Sequence, residues 1–294
     1  MSEQRQSRVR SDDRWFGLGM LLLGLSLALN TVLGPLLTGV ISYPFTETVR
    51  NEALGLEAVS LLLIAPLAMA AGLLALRGHR AAGTLALGPA AYAAYMLVQY
   101  VVGPQYPTYQ PSIALHLALF VLSAALLLRG WANAGAEQSA TSRGWAIVAF
   151  GLAAFVVSRW LPAFAGMMAN DPIPAAPPDV TMFWSIFLLD LGLVVPAAVA
   201  TGIGLLAGTG WARKALYGVV GWFALVPPSV AAMSIVKVLR GDPNAAGADT
   251  ILFIAVTVVF WAIALWLYRP LFAPATARAG KQPLPRSLAA DART

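Results

Sequence analysis

The chain contains no cysteine. Disulfide chemistry, iron–sulfur clusters and thiolate metal sites are therefore closed to it. Histidine is almost missing: His79 and His116 are the only two in 294 residues. His79 falls in a short basic connection, so one copy cannot hold a haem between two intramembrane imidazoles. Charged residues make up 11% of the chain, against about 25% in soluble domains. No GxxxxGK[ST] phosphate loop, HExxH or GxSxG occurs, which argues against an ATP motor, a zincin and a serine hydrolase. No lysine sits deep in an apolar run. Lys237 ends its run, which excludes a retinal Schiff base and leaves a snorkelling anchor as its simplest role. The sequence implies no cofactor and no metal.

Apolar residues are abundant instead, at 59%. They gather into continuous runs of the ~20 residues that cross a hydrocarbon core. The runs do not alternate in short segments, as barrel strands would. An all-α bundle of eight spans follows, at about 15–41, 53–76, 81–103, 112–129, 144–168, 181–207, 214–238 and 249–268. The first run has no small-residue cleavage site after it and reads as a true span.

Fifteen of the nineteen basic residues fall at one end of these spans: in both tails and in the even connections, at Arg77 and Arg80, Arg129 and Arg143, and Arg213 and Lys214. By the positive-inside bias this end is cytoplasmic, with both termini on it. The net charge of +6 is then an orientation signal, and nucleic acid is not an expected partner. Segments 1–14 and 270–294 read as polar tails, the first a basic tail that would also meet anionic lipid.

The chain repeats itself at a spacing of 130 residues: Trp15 with Trp145, Pro66 with Pro196, and Gly72 with Gly202. Arg80 and Arg213 keep near-register, and Arg129 and Arg269 each close a fourth span. The reading is a tandem duplication of a four-helix unit, 15–129 and 144–269, joined by a linker at 130–143. Four is even, so the halves share orientation, with a site expected between them.

Glu57, His116, Arg159, Asp190 and Lys237 interrupt the apolar runs, all in the half of the membrane away from the basic end. Ionisable groups at such depth face a polar cavity or a partner. Arg159 and Asp190 both lie nine residues, ~13 Å, from the end of their antiparallel spans, which predicts that they pair. The pair is either a polarised solute site or a static bridge. Glu57, with Ser60 one turn deeper, is a proton or cation acceptor or a snorkelling group. His116 is a relay or a satisfied packing residue. Tyr92, Tyr95 and Gln99 share one helical face, a solvated wall or an aromatic packing stripe. Asn30 adds polarity to the first span. Pro227–Pro228 frees backbone carbonyls, which need partners in a bilayer. The longer connections opposite the basic end, such as ISYPFTETVRNE and ANDPIPAAPPDV, are stiff enough to cap a chamber.

The segments LEAVSLLLIAP and LDLGLVVP each set an acid before a proline, Glu57 before Pro66 and Asp190 before Pro196. With AAYMLVQYVVG they resemble a family of uncharacterised bacterial eight-span integral membrane proteins. The resemblance implies eight spans in the cytoplasmic membrane and two candidate carboxylates, with no assigned activity. Three functions are compatible with the whole. The first is a protein that binds and moves a small polar or amphipathic solute from an extracytoplasmic chamber. The second is an intramembrane enzyme acting on an outer-leaflet lipid through Glu57, Asp190 and His116. The third is a non-catalytic sensor or assembly partner.

Overall fold

The computed structural model describes residues 2–135, 143–175 and 177–272. Among them are eight helical segments long and apolar enough to cross a membrane, and no strand. The protein is a multi-pass helical membrane protein. Leu62, Leu128, Ile147, Ile251 and Leu265 are each at least 70% exposed on its flanks. A water-soluble surface would not carry so continuous an apolar coat, whereas hydrocarbon contact requires one.

The first span is α1 (Ser2–Leu33), whose helix reaches back through the polar segment assigned to a tail. It stops short of the expected residue 41. Gly34 and Pro35 follow, and Pro35 has no N–H for the Thr31 carbonyl, so the chain turns over 34–38. The second span combines α2 (Glu47–Val59), a π turn at Ser60–Ile64 and α3 (Ala65–Leu76). α4 (Ala82–Val102), α5 (Pro111–Asn133) and α6 (Arg143–Ala169) are spans three to five. The sixth repeats the pattern of the second: α7 (Val180–Leu189), a π turn at Asp190–Val194 and α8 (Val195–Leu206). In both, the widened turn precedes a proline, Pro66 or Pro196. Its i to i−5 bonds run from Ala65 N–H to the Ser60 carbonyl and from Val195 N–H to the Asp190 carbonyl. The seventh span is broken into α9 (Gly210–Phe223) and α10 (Val226–Leu239), and α11 (Gly247–Tyr268) is the eighth. The break has the expected cause, Pro227–Pro228, and its carbonyls find partners. Trp261 Nε1 donates to Ala224 O at 2.8 Å and Ser229 Oγ to Leu225 O at 2.9 Å. Most of the linker 130–143 and of the C-terminal tail lies outside the described residues.

α4 and α9 cross at the centre, where Gly88 and Gly221 meet backbone to backbone. α1 packs on α3 through Gly17 and Gly72, and α6 packs on α8. α2 lies against α10 at Gly55. Small residues let these backbones approach where no hydrophobic effect separates helix from lipid. Of the two tryptophans that open the first and fifth spans, Trp15 faces outward, while Trp145 is buried against Trp266 at 4.8 Å.

At the end opposite the basic connections, two clasps join distant parts of the chain. Thr46, the N-cap of α2, donates both its N–H and its hydroxyl to the Asp179 carboxylate at the start of α7. Asp242 accepts from Asn51 Nδ2 at 2.9 Å, Thr48 Oγ1 at 3.1 Å and the Asn244 N–H at 2.8 Å. Burial works against the Asp242 charge. The three hydrogen bonds and nearby Lys237 outweigh it and hold its carboxyl below the usual carboxylate range. A depressed carboxyl stabilises the fold above its unfolded value, near about 3.9, and ceases to do so as pH falls through its folded value. Acidification below about pH 4 should therefore lower the melting temperature of the detergent-solubilised protein more than that of Asp242→Asn. Equal acid sensitivity would show that the clasp does not depend on charge.

Candidate functional site

The polar residues of the half away from the basic connections divide into two clusters, set by the side on which each helix presents them. The first cluster is closed. His116 is fully buried, with Nε2 2.9 Å from Asn30 Oδ1 and 3.5 Å from the Tyr43 hydroxyl. Tyr43 and Tyr100 stack on the imidazole with centroids 6.0 Å and 5.2 Å away. Glu57 is 1% exposed. Its Oε2 accepts from the Leu36 N–H at 2.9 Å, while Oε1 and His116 Nδ1 have no hydrogen-bond partner among the described residues. The carboxylate is possible there because Gly34 has no side chain: a Cβ at that position would lie 2.2 Å from Glu57 Oε1. Glu57 therefore holds the turn that ends α1 and does not snorkel. Ser60, one turn on, opens the π turn beside the Tyr92 hydroxyl.

The second cluster is open. A cavity of about 330 Å³ is lined by Tyr95, Phe155, Arg159, Trp160, Asp190, Trp222 and Phe253, among others. A second cavity of about 240 Å³ shares Tyr95, Arg159, Ile186, Val226, Val230 and Phe253 with it. The second adds Tyr92, Gln99, Ser229 and Ser234, and ends at Glu52, Lys237 and Asp249, which lie toward the end opposite the basic connections. The Tyr92–Tyr95–Gln99 stripe is thus one wall of a polar passage. Tyr92 is fixed to Ser229 at 2.7 Å and Gln99 lies against Met96.

Asp190 closes the deep end. It opens the π turn, whose wider coil brings the carboxylate round to α4 and α6. Oδ1 accepts from the Tyr95 hydroxyl at 2.6 Å and Oδ2 from Trp160 Nε1 at 2.9 Å. The expected Arg159–Asp190 ion pair does not form among the described residues. Depth counting set both residues at one level, and both line the first cavity, but it left their direction open. Successive residues on a helix point about 100° apart, and it is Trp160, next to Arg159, that turns to Asp190. The Arg159 guanidinium instead lies over the Phe253 ring, 4.8 Å from its centroid, and lines both cavities. Among the described residues it forms no ion pair with a carboxylate. Lys237, expected as an anchor, is paired with Glu52 at 2.8 Å at the mouth.

The arrangement brings together Arg159, Asp190, Tyr95 and Gln99. It does not bring in Glu57, His116, Asn30 or Ser60, which line neither cavity. The three acid–base groups that an intramembrane enzyme would need are thus divided between two clusters. Sequence reasoning missed Trp160, Trp222 and Glu52. Trp160 carries a signal in hindsight, an indole N–H at membrane depth that needs an acceptor. Among the described residues no group of His, Asp or Glu side chains could hold a metal ion. The chain matches no family model, no curated protein and no solved structure, and the functional reading stands on the geometry.

Proposed function

We propose that the protein is a duplicated eight-helix transporter of the cytoplasmic membrane. It binds a small polar or amphipathic solute in a chamber open to the extracytoplasmic side. The observation that carries this reading is the joined pair of cavities, running from the Glu52–Lys237 mouth past Arg159 to Asp190. Arg159 is the anion-binding group. Asp190, Tyr95 and Gln99 supply hydrogen-bonding capacity along one side.

Duplication with parallel halves is supported by the two π turns, which stand 130 residues apart and each precede a proline. Gly88 and Gly221, spaced like Arg80 and Arg213, meet backbone to backbone between the halves, which supports it further. With four spans in each unit the halves share orientation, as in parallel transporter repeats. Arg159 and Asp190 of the site belong to the second half, and Tyr95, Gln99 and Glu52 to the first. The first half fills the corresponding place with Asn30 where the second has Trp160, and Ser60 where it has Asp190.

The absence of cysteine makes the test direct. Ser234→Cys near the mouth and Val230→Cys in the shared wall should react in intact cells with a membrane-impermeant maleimide. Val219→Cys, beyond Trp222 and Phe223, should not. Protection of Val230→Cys from the reagent, or reaction only from the cytoplasmic side, would refute an outward-open chamber.

A further inference from the structure

Two apolar grooves lie between the halves, one on each flank. The first, of about 580 Å³, runs between α4, α5, α8 and α9 and is lined by residues such as Ala94, Phe120, Leu193, Ala197, Ala200 and Val219. The second, of about 410 Å³, lies between α3, α4, α9 and α11 and is lined by Leu63, Leu67, Leu85, Ala264, Leu265 and Phe272. They occupy corresponding places: Leu63 and Leu67 stand in the second where Leu193 and Ala197 stand in the first. They differ in what lies behind them. The second groove shares no lining residue with the polar chamber. The first shares Tyr95, Trp222 and Phe223 with it, so groove and chamber are separated by a wall one side chain thick. The wall is made of ring contacts, Tyr95 to Trp222 at 5.1 Å and Trp222 to Phe223 at 4.9 Å. It is held on the chamber side by the Tyr95–Asp190 hydrogen bond.

We infer that the ligand is a monoanionic single-chain amphiphile, a long-chain carboxylate, whose head meets Arg159 in the chamber while its chain occupies the first groove. This deepens the proposed function and rests on it. A void of that size at bilayer depth is of ligand-pocket dimensions, and hydrocarbon is the occupant its lining admits. The chain alone gives no selectivity, because it is already in hydrocarbon in the membrane; the head must supply it. Among the described residues the Arg159 guanidinium in the chamber forms no ion pair with a carboxylate, and carboxylate recognition is the geometry that side chain favours. Asp190 close by opposes a second negative charge, so one charge on the head matches one arginine. Passage between compartments requires the Tyr95 ring to swing away from Asp190. Tyr95 is thereby the gate.

The test uses the full chain in lipid nanodiscs and three probes carrying a photoactivatable diazirine at mid-chain: an octadecenoic acid, its alcohol and its phosphate monoester. Cross-linked peptides are read by mass spectrometry. The carboxylate should label the peptides of the first groove, around Ala94 and Leu193–Ala200, at least fivefold more than the alcohol. Labelling around Leu265 in the second groove should be equal for both. Arg159→Gln should remove the excess in the first groove and leave the second unchanged. Ala200→Trp, which fills the first groove at an outward position, should do the same without touching the chamber; Ala264→Trp should affect the second groove only. Equal labelling by acid and alcohol in the unmodified protein, which needs no variant, would overturn the inference. So would an excess that survives Arg159→Gln, and a stronger excess with the phosphate ester would overturn the carboxylate assignment. If Val230→Cys still reacts from outside, such a failure leaves the chamber standing. If it does not react, the chamber itself has failed.

Discussion

Gly55→Val is expected to yield no folded protein, whereas Gly151→Ala, also inside a helix, should be neutral or mildly stabilising. At Gly55 an added Cβ would lie 2.4 Å from Met233 N and 2.5 Å from the Ala232 carbonyl carbon. Both are backbone atoms of α10, so no rotamer change relieves the clash. α2 and α10 would have to part along their length. Overpacking a tight contact typically costs about 1–3 kcal/mol, and more when backbone must move. A domain is stable by only about 5–15 kcal/mol. The helices also gain nothing from lipid exclusion if separated, because close packing is what holds them together. Gly55 is flanked by Leu56, which lines the polar passage, so a shift here would also deform its mouth. Gly151 has no atom within 4 Å of its added Cβ, and alanine is favoured over glycine in helix by about 1 kcal/mol. Size-exclusion profile and thermal melting in detergent separate the two outcomes. A monodisperse Gly55→Val protein with an unchanged melt would show that α2 and α10 are not in backbone contact.

The eight spans were legible because hydropathy registers only length and composition, and hydrocarbon thickness fixes both. The proline positions were equally legible as breaks, and Pro227–Pro228 did split a span. What replaced the lost hydrogen bonds was not legible. Pro66 and Pro196 are accommodated by π turns, and the partner of the Ala224 carbonyl is Trp261, from another span. The candidate site was readable in one dimension. Counting residues gives depth, so Arg159 and Asp190 were expected at one level, and both line one cavity. Facing is set by helix rotation and by the wider coil of the π turn, neither of which a residue count carries. The same limit applies to Glu57 and His116. Their shallow depth put them beside the chamber, but their direction buries them under the loop that follows α1. The Glu52–Lys237 ion pair spans 185 residues and follows from tertiary packing alone.

Asp190→Ala should be among the most destabilising single changes in the bundle, and Arg159→Ala should not rescue it. Removing the carboxylate leaves two donors, the Tyr95 hydroxyl and Trp160 Nε1, without their acceptor. A buried donor left unsatisfied costs about 1–3 kcal/mol, which applies in full to Tyr95 and in part to the half-buried Trp160. Arg159→Ala removes a cation–π contact with Phe253 worth about 0.5–2 kcal/mol and orphans no carboxylate. Were the two an ion pair, the double variant would be more stable than the worse single one, because an unpaired buried charge costs more than none. With their contacts separate, the double variant should equal the sum of the singles within about 0.5 kcal/mol. Asp190→Asn supplies a finer comparison. Its amide oxygen can take one donor, and its NH₂ can donate to the Tyr95 hydroxyl, which accepts as well as donates. It should therefore keep most of the stability while removing the negative charge near Arg159. Asp190→Leu with Tyr95→Phe should recover part of the loss seen in Asp190→Ala, because one stranded donor is gone. Thermal unfolding of the five variants in one detergent, referred to the unmodified protein, decides the matter. A double variant clearly more stable than Asp190→Ala would restore the ion pair. Equal stability of Asp190→Ala and Asp190→Asn would remove Tyr95 and Trp160 as the partners that hold the carboxylate.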